Sequence, residues 1–235
     1  MLGQARLFLC ALQFLTRLPT PVLKGFQPEW VARSAVYYPV VGWIVGAIAA
    51  GVLLVADRLW MPIIGAALST VAGLMVTGGF HEDGLADTVD GLGGGRTRET
   101  RLEIMKDSRT GAYGAMALWS TLTIKTLALA ALPPPQAALA LVLAHGGARA
   151  LPVAVMTGPY AGDPGRSKLG AQSARPHEAV IAAVLGLLPF ALLAWPQAAV
   201  AVTWAIGAAL VVAIIARRLI GGWTGDVLGA VEQVG

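Results

Sequence analysis

The chain has 235 residues, of which 56% are hydrophobic and 13% are charged, and its mean hydropathy is +0.69. Soluble domains carry roughly a quarter charged residues, so this composition excludes an ordinary soluble domain and predicts a polytopic membrane protein. The net charge of +4 suits a cytoplasmic membrane surface or a phosphate-bearing substrate, without choosing between them.

The first predicted element is an amphipathic helix near the N-terminus. Apolar residues between Leu2 and Leu15 recur at helical spacing, and Arg6, Gln13 and Arg17 lie beside this apolar stripe. A segment of this kind is expected to lie in the membrane interface rather than to cross the bilayer.

About six transmembrane helices are predicted to follow. A bilayer core is crossed by about 20 apolar residues, and several stretches of that kind succeed one another along the chain. They are residues 34–56, 59–80, 112–132, 137–157, 178–196 and 198–216. The predicted fold is therefore an all-α polytopic membrane helix bundle, with residues 1–235 forming a single domain.

Lysine and arginine residues predict the orientation of these spans. They concentrate at the termini and in two long loops, whereas the opposite side holds only Arg58. By the positive-inside rule, both termini and both long loops are expected to face the cytoplasm. The loops 81–111 and 158–177 and the tail 217–235 would then form one catalytic face.

Four of the thirteen acidic residues fall within nine positions after the second predicted span: Glu82, Asp83, Asp87 and Asp90. Asp83, Asp87 and Asp90 are spaced i, i+4, i+7, so on a helix they share one face, from which Glu82 is turned away. Carboxylate oxygens are the ligands that Mg²⁺ prefers, together with water and phosphate oxygens. All four residues are therefore predicted metal ligands. The alternative, a solvated acidic loop, is disfavoured because cytoplasmic loops are usually basic.

Two groups of residues after the acidic run suit phosphate binding. Gly93 and Gly94 let the main chain approach a phosphate closely, although a flexible linker has the same composition. Lys106 and Arg109 are natural clamps for a diphosphate, and Asp107 can complete a metal site or accept a proton. Alternatively, these residues belong to an amphipathic segment that leads into the third span, and their charges only set the orientation of that span in the membrane.

Two further residues and one loop are candidate parts of the same catalytic face. Arg149 lies inside the fourth predicted span, and intramembrane arginines are functional by default, so it is expected to reach toward the phosphate. Asp226 returns a carboxylate from the tail and is a candidate substrate contact. The loop 160–170 is typical of either a mobile lid or an ordinary connector. With no nucleophile–base constellation in the sequence, a direct displacement at phosphorus fits best.

Several of these motifs resemble those of one enzyme family. The runs 14–19, 81–95, 104–114 and 221–226 are similar to the signature of cobalamin synthase, adenosylcobinamide-GDP ribazoletransferase. The resemblance implies a Mg²⁺-dependent enzyme of the bacterial inner membrane that acts on adenosylcobinamide-GDP. It joins this substrate to α-ribazole or α-ribazole 5′-phosphate, releases GMP and completes the lower nucleotide loop of vitamin B12. Membrane lipid surrounds such an enzyme and no nucleic acid is involved. A homo-oligomer, or association with other cobalamin-pathway enzymes, is left open.

The resemblance and the residue chemistry together suggest a division of roles. Asp87, Asp90 and Asp107 are the predicted catalytic residues, with Asp107 as the general base for the attacking hydroxyl of α-ribazole. The predicted substrate contacts are Lys106, Arg109, Gly93, Gly94, Arg149 and Asp226.

Two other functions share some of these features. The run 87–91 resembles the Asp-x-x-Asp-Gly of CDP-alcohol phosphotransferases, which make phospholipid, but the Ala-Arg and the later Asp-x-x-x-Asp of that family are absent. A cation-coupled transporter also gathers carboxylates, although its site is expected near the bilayer midplane on broken helices. Here the acids lie at the cytoplasmic end of a predicted span, which disfavours transport.

Overall fold

A computed structural model describes residues 3–162 and 173–235, and in that part of the chain the fold consists of α-helices and two 3₁₀ turns, without a β-strand. Residues 163–172, which include most of the loop 160–170, lie outside the described residues. The helices are α1 (Gln4–Leu15), α2 (Glu29–Ser34), α3 (Tyr38–Ala56), α4 (Pro62–Thr77), α5 (Phe80–Gly94), α6 (Arg98–Ile104), α7 (Ala112–Ala130), α8 (Pro134–Ala148), α9 (Ala150–Val155), α10 (Pro176–Leu187), α11 (Trp195–Ile220) and α12 (Gly225–Val234).

Three helical stretches in the described residues are long and apolar enough to cross a membrane, namely Glu29–Ala56, Pro134–Val155 and Trp195–Ile220. The pair α4 and α5 would add a fourth only if both helices formed one span, but they are bent by 90°. The all-α membrane bundle is thus confirmed, with fewer spans than the six predicted. Lys125 and several hydroxyl residues lower the hydropathy of α7, and α10 gives way to a 3₁₀ turn at Leu188–Leu192.

Two consecutive glycines form the corner between α4 and α5. Gly78 and Gly79 have φ values of 72° and 69°, in the left-handed region that glycine adopts without a steric penalty. Gly78 ends α4 as a left-handed cap, and its neighbour begins α5. The acidic run, which lies within the range 81–111 assigned to a loop, therefore forms a helix that leaves the direction of α4. Because of this turn and its four carboxylates, we do not count α5 among the spans.

Close packing of α3 against α8 forms the apolar part of the bundle. Gly42 and Gly46 lie directly against the backbone of α8, and a Cβ atom at Gly46 would be 2.6 Å from the carbonyl oxygen of Leu141. Small residues spaced by four allow helix backbones to approach in this way. The contact holds the end of α8 that carries His145 and Arg149 inside the bundle.

The C-terminal tail forms the helix α12, which packs along α5. Gly84 on α5 faces Gly229 on α12, and a Cβ atom at Gly84 would be 2.8 Å from the carbonyl oxygen of Asp226. Thr224 caps α12 by accepting a hydrogen bond from the Val227 N–H at 3.2 Å. This packing places the start of α12 beside the acidic helix.

Helix α11 is the least embedded of the candidate spans, with only 11% of its apolar window buried. It ends at Gly221, whose φ is 93°, and its last carbonyl groups accept hydrogen bonds from α6. Arg98 Nε donates to the carbonyl oxygen of Ile220 at 2.8 Å, and Arg101 donates to that of Leu219 at 3.4 Å. Two of the basic residues that predicted the orientation therefore also cap a helix.

Candidate active site

Four carboxylates from three segments of the chain lie close enough to Asp87 for their charges to act on it. Burial raises the pKa of Asp87 to about 7, and the negative charges of Asp83, Asp226, Asp90 and Asp107 add to this effect. Three successive turns of α5 thus lie near the start of α12 and the loop before α7, and the α5 carboxylates share one face as their i, i+4, i+7 spacing predicted. This concentration of negative charge favours the binding of a proton or a cation.

Asp90 also connects α5 to α7. Its side chain is buried, and its two oxygens accept hydrogen bonds from the N–H groups of Gly111, at 2.8 Å, and Gly114, at 2.9 Å. Gly111 is the N-cap residue of α7, where N–H groups lack partners within the helix. Asp90 therefore satisfies them, and any metal ion would have to share oxygens that already accept hydrogen bonds.

Glu82 lies apart from the other carboxylates of α5. Its Oε1 atom accepts a hydrogen bond of 3.0 Å from Gln233 on α12, and the charges that act on it are those of Glu232, Lys125 and Arg149. The rotation of about 100° per residue turns Glu82 away from Asp87. The structure thus separates it from the predicted ligand set.

No group of three or more His, Cys, Asp or Glu side chains in the described residues is close enough to hold a metal ion by itself. Mg²⁺ seldom uses such a cage. It is usually held by one or two carboxylates, with water and substrate phosphates completing the octahedron. Asp83 and Asp87 on adjacent turns of α5, with Asp226 nearby, provide hard oxygen donors of this kind. The residues therefore fit a cation that is bound together with a phosphate.

The predicted diphosphate clamp contains an ion pair. Arg109 Nη2 lies 2.6 Å from Asp107 Oδ2, and 87% of the Arg109 side chain is exposed. Hydrogen bonds from Arg109 lower the pKa of Asp107 to about 2. In this arrangement Asp107 is a weak proton acceptor, because an efficient general base has a pKa near the working pH. Lys106 is exposed beside the pair.

Gly93 and Gly94 belong to the last turn of α5 and not to a loop. A Cβ atom at Gly93 would lie 3.5 Å from the ring of Tyr113, and one at Gly94 would lie 3.6 Å from Ile104. Because only the first four N–H groups of a helix are free, the N–H groups of both glycines are occupied within α5. The predicted phosphate cradle is therefore not formed by these two residues.

Arg149 does not reach toward the acidic face as predicted. Its Nη1 atom lies 2.8 Å from Glu232 Oε1, and the two side chains are only 1% and 4% exposed. The same nitrogen donates to the carbonyl oxygen of His145 at 2.9 Å, and Gln233 donates to Glu232 at 2.8 Å. None of the predicted spans contains an acid that could pair with Arg149. Its partner, Glu232, comes instead from the tail helix, far along the chain.

A polar cleft lies beside the acidic face and was not predicted. It has a volume of about 570 Å³ and opens at the corner between α4 and α5. Its lining includes Phe14, Arg17, Phe80, Asp83 and Leu118. Two signals pointed to this region: the run 14–19 that carried part of the family resemblance, and the glycine pair that forms the corner.

The fold and the site define a class of protein: an all-α membrane protein in which carboxylates from three segments meet beside a polar cleft. The sequence model of the family Cobalamin-5-phosphate synthase matches residues 7–235, and the chain belongs to that family.

Curated relatives support the assignment. An adenosylcobinamide-GDP ribazoletransferase of Leptothrix cholodnii is 46% identical over 100% of this chain and 93% of its own length. Proteins of the same name from Ralstonia nicotianae and Ralstonia pickettii are 41% and 40% identical, each over 95% of this chain and 89% of their own lengths. No solved structure is significantly similar to the chain.

Proposed function

We propose that this chain is an adenosylcobinamide-GDP ribazoletransferase, which joins adenosylcobinamide-GDP to α-ribazole or its 5′-phosphate and releases GMP. The names of relatives that match nearly the whole chain support the choice of substrates. The observation that carries the chemistry is the convergence of carboxylates on Asp87. A diphosphate can approach such a surface only with a cation between them, since like charges repel.

Mg²⁺ is the proposed cation, and Asp83, Asp87 and Asp226 are the residues that would hold it. When bound, it would neutralise charge on the diphosphate and on the leaving group. Family membership argues against phospholipid synthesis and transport as alternatives.

The proposed reaction is a displacement at the phosphorus on the cobinamide side of the diphosphate. The 3′-hydroxyl oxygen of α-ribazole forms a bond to this phosphorus, and the bond from the phosphorus to the bridging oxygen breaks. GMP leaves with the bridging oxygen, and the hydroxyl proton passes to a carboxylate of the site. Positioning and electrostatic stabilisation supply most of the rate in phosphoryl transfer of this kind.

We further propose that substrate binding changes the partner of Arg109. The exposed guanidinium that pairs with Asp107 in the free protein would move to the diphosphate, which carries more negative charge. Asp107 would then lose the hydrogen bonds that lower its pKa and become a better proton acceptor. Lys106, exposed beside it, would add a second positive charge at the diphosphate.

The acidic face is proposed to lie on the cytoplasmic side of the inner membrane. Basic residues cluster near it at 96–109 and at 217–218, as the positive-inside rule expects. Guanine nucleotides and Mg²⁺ are also available in that compartment.

GMP release by the purified protein tests the proposed function directly. With adenosylcobinamide-GDP and α-ribazole supplied, GMP should form in the presence of Mg²⁺ and not after chelation. Asp87→Asn should abolish release, whereas Asp57→Asn, at the end of α3 and outside the site, should leave it unchanged. If the wild-type protein instead consumed a CDP-linked lipid and released no GMP, the proposal would be wrong.

A further inference from the structure

We propose that the polar cleft at the α4–α5 corner binds the acceptor, and that Arg17 binds the 5′-phosphate when the acceptor is α-ribazole 5′-phosphate. This inference rests on the function proposed above and assigns one substrate to a particular part of the site.

The size and position of the cleft favour the acceptor over the donor. Its volume of about 570 Å³ falls in the range of roughly 300–1,000 Å³ that holds a drug-sized ligand. The donor carries a corrin ring and is far too large for it, whereas a single nucleotide is of suitable size. Asp83 lines the cleft, and its negative charge also raises the pKa of Asp87, so the cleft adjoins the acidic face. A molecule bound there would lie next to the diphosphate.

The walls of the cleft suit an aromatic base. Phe14 and Phe80 meet edge to face, with ring centroids 5.2 Å apart, and Leu118 and Ala86 add apolar surface. Aromatic side chains favour stacked or edge-to-face contact with another flat ring. The benzimidazole base of α-ribazole is such a ring.

Arg17 is the basic residue in the lining of the cleft. Three other polar residues there already donate to backbone carbonyl groups: Gln13 to Pro21, Thr16 to Leu12, and Thr77 to Gly73. Arg17 forms no ion pair with a carboxylate among the described residues. Its positive charge is therefore available to an anion.

A backbone hydrogen bond and the absence of a side chain at Gly78 position Arg17 at the corner. The Arg17 N–H donates to the carbonyl oxygen of Val76 at 2.7 Å, which joins the end of α1 to the end of α4. The guanidinium lies over Gly78, where a Cβ atom would be 2.8 Å from Nη2. A guanidinium positioned in this way can bind a phosphate through two parallel hydrogen bonds.

The acids in the cleft orient the acceptor. Glu82 and Asp83 also line it, so a phosphate is favoured beside Arg17 and disfavoured beside either carboxylate. The uncharged hydroxyl end of the ribose would then point toward Asp83 and the acidic face. This is the orientation in which the 3′-hydroxyl can attack the diphosphate.

The test compares two acceptors in one variant. Arg17→Gln should lower kcat/KM for α-ribazole 5′-phosphate by about 10- to 100-fold, the range expected for a charge-assisted hydrogen bond. The value for α-ribazole should change less than about twofold, since this acceptor has no phosphate to bind. Arg6→Gln, an exposed arginine at the other end of α1, is the matched control and should change neither.

The ratio of the two kcat/KM values distinguishes phosphate binding by Arg17 from a purely structural role at the corner. An equal loss for both acceptors, or no loss for either, would overturn the inference, because a structural role of Arg17 affects both substrates alike. Arg17→Lys keeps the charge without the planar fork and should show a smaller loss, for the phosphorylated acceptor alone. Absence of GMP from the wild-type protein would instead contradict the proposed function.

Discussion

Four acids on one helix have different surroundings because each residue is rotated by about 100° from the one before it. Asp87 faces other carboxylates, Glu82 faces Gln233 on α12, and Asp90 accepts hydrogen bonds from the start of α7. At the residue scale, therefore, Asp87 and Asp83 are suited to bind a cation, whereas Asp90 has a structural contact to maintain.

Replacement of Asp90 should lower stability, because its side chain accepts hydrogen bonds from the start of α7. Asp90→Asn places an amide N–H₂ group against the backbone N–H of Gly111 or the buried backbone N–H of Gly114, which then loses its acceptor. An unsatisfied buried donor costs about 1–3 kcal/mol, so the free energy of unfolding and the activity should both fall. Thermal unfolding in detergent, compared with that of Asp83→Asn on the exposed side of α5, measures the difference. Wild-type stability in Asp90→Asn would contradict the capping role.

A cation at Asp87 should stabilise the folded protein. Ligand binding to the folded state alone adds about 2.7 kcal/mol at a concentration 100 times the dissociation constant. We therefore expect Mg²⁺ to raise the Tm of chelator-treated protein, and Asp87→Asn to remove most of this rise. The same rise in wild type and variant would show that Mg²⁺ binds elsewhere.

At the scale of elements, a glycine turn and a glycine contact determine where the helices around the site lie. Gly78 and Gly79 turn α5 by 90° from α4, and Gly84 lets α12 lie against α5. The glycine turn directs the acidic helix away from α4. The contact at Gly84 brings Asp226 within electrostatic range of Asp87.

A larger residue at the α5–α12 contact should displace the tail helix. Gly84→Val would place a side chain against the backbone of Asp226 and Gly229, and overpacking of this kind typically costs about 1–3 kcal/mol. Activity should fall with stability, because Asp226 moves with α12. Gly207→Ala in α11, where a Cβ atom meets nothing within 4 Å, is the control and should be neutral or slightly stabilising. Normal stability and turnover in Gly84→Val would argue against this packing.

At the scale of the whole molecule, a buried ion pair joins the tail to the bundle. Arg149 at the end of α8 and Glu232 on α12 are both almost completely buried, and Gln233 connects the pair to Glu82 on α5. The opposite end of α12 carries Asp226, so the pair helps to position one side of the acidic face from within the bundle.

Replacing only Glu232 should destabilise the fold more than replacing both Arg149 and Glu232. Glu232→Gln leaves the guanidinium of Arg149 buried without a counter-charge, which typically costs about 3–5 kcal/mol. The double variant Arg149→Met with Glu232→Leu should recover part of this loss. Denaturation of the reconstituted proteins measures both, and equal stability of the two variants would argue against a strong interaction.

The general class of fold and the row of acids on α5 could be predicted from the sequence, because hydropathy and helical spacing are local properties. Fewer helices than predicted are long and apolar enough to span a membrane, because Lys125 lowers the hydropathy of α7 and α10 ends at a 3₁₀ turn. The ion pair of Arg149 could not be predicted, because its partner Glu232 lies far along the chain in the tail helix.

The sequence by itself determined that the chain is helical and membrane-embedded, and that Asp83, Asp87 and Asp90 would share one face of a helix, because each of these properties depends on residues that are close in the chain. Only the tertiary structure decided which carboxylates face one another, which are used as caps or buried partners, and that a cleft lies beside Arg17. Those outcomes depend on the glycine corner and on the packing of α12, which bring together residues from opposite ends of the chain.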